Sequence, residues 1–254
     1  MKRREFLWAS MVGAIALPSL ARAIGPQQDV RLMQLIHSGR WQVHAGALEF
    51  LATEVGLRTS IAMDPTRTVV SPVMTQLADS MILFVSGTGS FSFSDEERAN
   101  LGRWMGLGGL LVFDNAGISA SDTDFDKSTR HELKAIFPQN PIERVSPEHV
   151  VFRSFYRLDY PAGRAIHKPF IEGIRLGSRY CALVIQNDLL GAFATSDQRT
   201  FVNTPTPGGE NQREMAIRLG VNLVMYASCL HYKDDQVHVD YLLHKRKWKI
   251  RRPQ

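Results

Sequence analysis

The chain has 254 residues, 44 % of them apolar, which is enough for one α/β domain with a substantial core. Its formal charge is +5, and Lys2, Arg3, Arg4 and Arg22 set against Glu5 supply three of those five charges. The remainder is nearly balanced, so the basic isoelectric point makes no case for a nucleic-acid partner.

The first 23 residues read as a processing segment. Lys2-Arg3-Arg4 is a basic head, 6–20 is mostly apolar, and Ala21-Arg22-Ala23 has a small-x-small form with cleavage expected after Ala23. The apolar stretch is short for a membrane span. Arg3-Arg4 ahead of Glu5-Phe6-Leu7 resembles a twin-arginine export signal. The expectation is therefore a bacterial protein of the periplasm, or one otherwise exported, with 24–254 as a single domain ending in a basic tail, 244–254. Cys181, in an apolar run, and Cys229, at the end of an amphipathic stretch, are expected as buried free thiols, although an oxidising compartment would permit a disulfide.

In chain order, 30–36 reads as a first strand followed by the polar loop His37-Ser38-Gly39-Arg40. A helix is expected over 43–55, a short strand over 59–63, and a short helix from Ser71 as N-cap with Pro72 at its first position to Ala78. The strongest pattern follows. An apolar strand at 81–86 leads to Ser94, an N-cap paired with Glu97 in a capping box, and to a helix with Leu101, Trp104, Met105 and Leu107 on one face. Gly108-Gly109 ends that helix, and 110–113 is the next strand. Strand, helix and strand make a βαβ unit, hence a parallel sheet covered by helices. Asp126 is the expected cap of a helix to Phe137; 141–163 is irregular. Strands at 174–176 and 180–185 join through Gly177-Ser178, 186–210 is a long polar loop, and 211–227 is a broadly apolar helix. The fold class is α/β, a single doubly wound, mostly parallel sheet with helices on both faces.

In such a sheet ligands bind beyond the carboxyl ends of the strands. That rule selects His37 and Arg40 after the first strand, Ser90 and Ser92 after the third, Asp114 and Asn115 after the fourth, and Asn187 and Asp188 after the late one. Asp114, Asp188 and His149 are the catalytic candidates, the two aspartates as acids, bases, metal ligands or hydrogen-bond anchors. Arg130 and Arg179 are candidate anion clamps. Asp122, Asp124 and Asp126 alternate like a calcium loop, but Lys127 stands where its glycine belongs. His231, Asp234, Asp235 and His238 have no predictable zinc geometry. No metal or cofactor is expected: the Gly87-Thr88-Gly89 and Gly106 to Gly109 stretches lack phosphate-loop spacing, and no Gly-x-Ser-x-Gly elbow is present.

The run Gly89-Ser90-Phe91-Ser92-Phe93-Ser94-Asp95-Glu96-Glu97, then Gly108-Gly109, Asp114, Phe125-Asp126, Arg130, Phe137-Pro138, His149, Ser154-Phe155-Tyr156, Asn187-Asp188, Glu214, Arg218-Leu219-Gly220-Val221-Asn222, Tyr226-Ala227 and Tyr232 to His238 resembles the bacterial domain-of-unknown-function family 4159. The resemblance implies a flavodoxin-like sheet similar to class I glutamine amidotransferases. It would place the amidotransferase nucleophile near 114–116. No cysteine stands there, which argues against glutaminase or protease chemistry.

Three functions remain open from the sequence. The first is a non-enzymatic ligand-binding or accessory protein of the cell envelope, taking a small polar ligand or another envelope protein, with at most peripheral membrane contact. The second is an acid–base or metal-assisted hydrolase of a carbohydrate or similar polar substrate. The third is a structural partner of a membrane complex, using the basic tail and the aromatics at 152–160.

Overall fold

The computed structural model describes residues 29–117, 119 and 123–245, with side chains to Ser228. The expected export segment, Asp122, the side chains of Cys229, His231, Asp234, Asp235 and His238, and all of the basic tail except the backbone of 244–245 lie outside the described residues.

Chain order is β1 (Val30–Leu35), α1 (Ala47–Arg58), β2 (Met63–Val70), α2 (Met74–Leu77), β3 (Ile82–Gly87), α3 (Asp95–Gly106), β4 (Leu110–Asn115), α4 (Asp124–Ile136), β5 (Ile142–Arg144), β6 (Glu172–Leu176), β7 (Arg179–Ile185) and α5 (Gly209–Lys245). The described strands form one sheet in the order β2-β1-β3-β4-β7-β6-β5. β2, β1, β3, β4 and β7 run parallel. β6 and β5 extend the sheet antiparallel, through the hairpin that Gly177-Ser178 announces.

Alternation along the strands sends side chains to two cores. Leu32, Ile82, Phe84, Val112, Leu183 and Ile185 pack with α1 and α5. Met33, Leu83, Val85, Phe113, Ala182 and Val184 pack with α2, α3 and α4. The sheet is thus doubly wound and flavodoxin-like. The crossovers change direction between β1 and β3, and because β2, β1, β3, β4 and β7 run parallel their exit loops gather at one end of the sheet.

The capping box of α3 forms as its sequence dictates: Ser94 Oγ accepts from Glu97 N at 3.3 Å, and Glu97 Oε2 accepts from Ser94 N at 2.7 Å. Trp104 Nε1 donates to Ser80 O at 3.1 Å, tying α3 to the entry of β3. Cys181 is a buried free thiol in β7.

Several boundaries depart from expectation for definite reasons. β2 lies at 63–70, not 59–63. It is the edge strand, half exposed and polar, with Pro65 in it, so no apolar run marks it. α1 starts at Ala47 because His44 and Gly46 hold left-handed backbone conformations that no helix continues through. α2 is one turn long with Val73 as its N-cap, not Ser71. Thr123, not Asp126, occupies the N-cap of α4; Asp126 sits in the first turn and bonds to Arg130. The long loop 186–210 holds a buried 3-10 turn, Leu190–Phe193. α5 continues past Ala227 to Lys245. No helix among the described residues is long and apolar enough to cross a membrane.

Candidate functional site

β4 and β7 lie side by side with Asp114 paired to Ile185, so the loop leaving β7 folds directly over the end of β4. Asp114 is fully buried there. Its Oδ1 accepts from Leu189 N at 2.7 Å and its Oδ2 from Leu190 N at 2.9 Å, which anchors the 3-10 turn. Two peptide N–H groups favour the ionised carboxylate. Burial and the neighbouring Asp188 oppose them and prevail, so the Asp114 carboxyl is pushed up to about 7.

Asp188 is equally buried and sits in the left-handed region at φ 54°. Its Oδ1 lies 2.6 Å from His44 Nε2, and its Oδ2 forms an ion pair with Arg164 Nε. His44 is itself left-handed at φ 56°. Asp and His visit this region more readily than most residues, yet two of them facing one another there mark a locally demanding geometry. The Arg164 fork also donates to Ala116 O at 3.3 Å and reaches Asn203 Oδ1 at 3.5 Å. One carboxylate, one imidazole and one guanidinium thereby join the exits of β1, β4 and β7 to the segments around 164 and 203.

Asn187 fixes the same region through its amide. Oδ1 accepts from His167 N and Lys168 N, both at 2.8 Å, and Nδ2 donates to Pro161 O and Lys168 O, both at 2.7 Å. All four of its hydrogen-bonding positions are used. The packing here tolerates only glycine at two points. A Cβ on Gly163 would stand 1.9 Å from Asn187 O, and one on Gly191 would stand 2.1 Å from Asp188 Oδ2.

Beside this hub opens a cleft of about 570 Å³, lined among others by Arg164, Ile166, His167, Asn203, Thr204 and Thr206. Its size falls in the range of small-molecule sites, roughly 300–1,000 Å³.

The other residues singled out by sequence are spread around the hub or away from it. His37 is buried against Phe91, 4.7 Å between ring centroids; Nδ1 accepts from Gly39 N and Nε2 faces Ser86 O at 3.2 Å. Burial lowers its pKa, so it stands as a neutral ring bracing β3. Arg40 bridges to Thr88 through the backbone. Ser92 is tied to Ser38 Oγ through both N and O, and Ser90 is exposed on the same loop. Asn115 Nδ2 donates to Gln186 Oε1 at 2.9 Å, and Gln186 Nε2 passes on to Asp126 Oδ1. Arg130 is held between Asp126 and Glu172. Arg179 donates to the carbonyls of Met105 and Gly109.

The structure brings Asp114 and Asp188 together but leaves His149 elsewhere. His149 packs 4.9 Å from Tyr180 and 5.6 Å from Tyr226, at the starting end of β7. That is about 17 Å of strand short of the β7 exit. Its Nδ1 accepts from Val151 N, capping a 3-10 turn, and burial lowers its pKa. The residues that complete the hub, His44 and Arg164, were absent from the sequence candidates. His44 carried a usable signal, since it too lies in the loop after β1; the expected helix start at residue 43 concealed it. Arg164 sits in a stretch without periodicity and carried none. No group of three or more His, Cys, Asp or Glu side chains among the described residues is placed to hold a metal ion.

A model of one protein family, Domain of unknown function (DUF4159), matches residues 31–228. A search of the curated proteins found no match.

Proposed function

Since the chain belongs to the DUF4159 family, whose description names no reaction, we propose its function from the site: a non-enzymatic ligand-binding or accessory module, exported to the bacterial cell envelope, that takes a small polar molecule in the cleft beside Arg164. The observation that carries this reading is the internal use of both acids. Asp114 accepts from Leu189 N and Leu190 N with its two oxygens, and Asp188 lies in close contact with His44 and Arg164, without a well-aligned hydrogen bond to either. Neither carboxylate lines the cleft; Asp188 bears on it only by holding Arg164. The test is native mass spectrometry with elemental analysis on the protein recovered from its own periplasm without chelator. A small molecule retained in stoichiometric amount and released unchanged is the expected result. A retained compound that the protein converts on incubation overturns the reading, and recovery only from the cytoplasm removes the envelope from it.

One observation favours an acid–base hydrolase as the second reading. An acid raised to about 7 stands beside a His–Asp pair at 2.6 Å, a combination suited to proton transfer near neutral pH. In that case His44→Gln, read on its folded fraction because Asp188 loses a partner, would abolish conversion of the retained compound.

A further inference from the structure

We infer that the cleft beside Arg164 recognises an oxyanion, a carboxylate or phosphate group on a small molecule with a short apolar portion. The inference rests on the ligand-binding reading above and names the chemistry of its ligand. Four observations support it.

The first is the character of the lining. Among its polar side chains are Arg164, His167, Asn203, Thr204 and Thr206, and none of its residues is a carboxylate. A cation would find no counter-charge in this wall, whereas an anion meets a guanidinium and hydroxyls. The second is the state of the Arg164 fork. Asp188 holds its Nε edge, which sets the plane of the guanidinium. The outer nitrogens make only long contacts, 3.3 Å to Ala116 O and 3.5 Å to Asn203 Oδ1. A guanidinium carries five N–H groups, so donors remain on the edge suited to a bidentate oxyanion.

The third is His167. It lines the cleft, and its buried Nε2 has no hydrogen-bond partner in the protein. A buried polar atom left unpaired costs about 1–3 kcal/mol, a cost that a ligand oxygen bonded to His167 would remove. The backbone N–H of His167 is pinned to Asn187 Oδ1, and Arg164 N and Ala165 N are pinned to the carbonyls of Asp188 and Asn187. The two recognition groups therefore sit on backbone fixed before any ligand arrives, which limits the ordering cost of binding. The fourth is the exposed Ile166, an apolar lining residue beside these polar groups, which gives a ligand's hydrocarbon part a surface to cover.

Three probes sharing one ring isolate the charge: phenyl phosphate, benzoate and benzylamine, titrated calorimetrically into the purified protein at constant ionic strength. Saturable one-to-one binding by phenyl phosphate or benzoate, and none by benzylamine, is expected; the stronger of the two anions identifies the oxyanion. His167→Ala should weaken that binding about tenfold, or 1.4 kcal/mol, with little change in the melting temperature of the free protein. Arg164→Lys retains a positive charge for Asp188 but removes the fork, and should weaken binding at least as much. If Arg164→Lys fails to fold, the His167 variant still decides the matter. Binding of benzylamine as tight as that of the anions, no saturation by either anion up to about 10 mM, a crossover at about −2.7 kcal/mol, or unchanged binding in His167→Ala overturns the oxyanion proposal. Those outcomes leave the broader ligand-binding reading to its own mass-spectrometric test. Release of phenol from phenyl phosphate would do the reverse, ending the non-enzymatic reading while keeping the oxyanion site.

Discussion

The hub at the ends of β4 and β7 and the network between α1 and α5 contain similar charged side chains and teach opposite lessons. On the helices, Arg58 donates to Glu54 at 2.7 Å and to both oxygens of Glu214 at 2.8 and 2.9 Å, and Glu214 also accepts from Arg218. The Arg58 and Glu214 side chains keep 23 % and 37 % of their exposure. In the hub, Asp114 and Asp188 keep none. Contact lengths in the two places are similar; the alternative open to each group is not. Glu214 without its arginine faces water, whereas Asp188 without Arg164 and His44 faces protein. The helix network therefore adds little stability and is readily exchanged. The hub is costly to disturb, because removing one member strands another.

The largest effect is expected for Asp188→Asn. Asparagine tolerates the left-handed backbone at this position and has nearly the same volume, so the change isolates the charge. It leaves Arg164 without its counter-ion and His44 without its carboxylate partner, and should cost about 3 kcal/mol in urea or thermal unfolding. It also removes a repelling neighbour from Asp114, whose pKa should fall but stay raised, because burial is the larger cause and remains. Gly163→Ala comes next. Its Cβ would overlap the Asn187 carbonyl, a backbone atom pinned by Ala165 N, so the loops must part and about 2 kcal/mol or more should be lost. A crystal structure of this variant should show the cleft wall displaced.

The third prediction concerns the sign of pH dependence. Asp114 is raised in the folded state, so between about 4 and about 7 the fold holds a proton that the unfolded chain has released. Its contribution is thus fully present below pH 4 and is lost as pH rises through about 7, a change on the order of a few kcal/mol. Asp114→Asn should flatten that segment of the melting-temperature profile. At pH 4 to 5, where the native acid is already neutral, the variant should be less stable by about 1–2 kcal/mol, because its Nδ2 would oppose one of the two peptide N–H groups.

The unequal legibility of these features has a physical basis. Asp114 could be found because it ends an apolar strand, and the position of a strand end in an open α/β sheet follows from its hydrophobic run. Asp188 could be found for the same reason. The pairing of Asp188 with Arg164 depends on Arg164 N meeting Asp188 O across a tertiary contact that no local pattern encodes. The place of His149, far from the two acids, is not legible because the aperiodic stretch 141–163 does not say which end of the sheet it caps. β2 escapes the sequence pattern because an edge strand that is polar and half exposed lacks the apolar run on which strand recognition relies. The framework was therefore readable wherever burial imposes a period. The site was readable only where it borders that framework.

The smallest expected effect is the counterpart of the third prediction, at Glu214. Arg58, then Arg218, hold its carboxyl below the usual glutamate range. A lowered folded-state pKa gives stability that is present above the unfolded value and is lost as pH falls through the folded one. Its acid sensitivity is thus opposite in sign to that of Asp114. Glu214→Gln keeps the length and one acceptor, so α1 and α5 stay linked, and their packing at Leu51, Leu219 and Leu223 is untouched. Partial exposure and solvent screening limit the loss to below about 1 kcal/mol at neutral pH, and the difference should shrink further in 1 M salt. Measured side by side, Glu214→Gln should remove stability only above the glutamate range, whereas Asp114→Asn should remove it most in acid. A Glu214→Gln loss as large as that of Asp188→Asn would mean that partial exposure does not separate the two networks, and the contrast between them would have to be drawn from geometry instead.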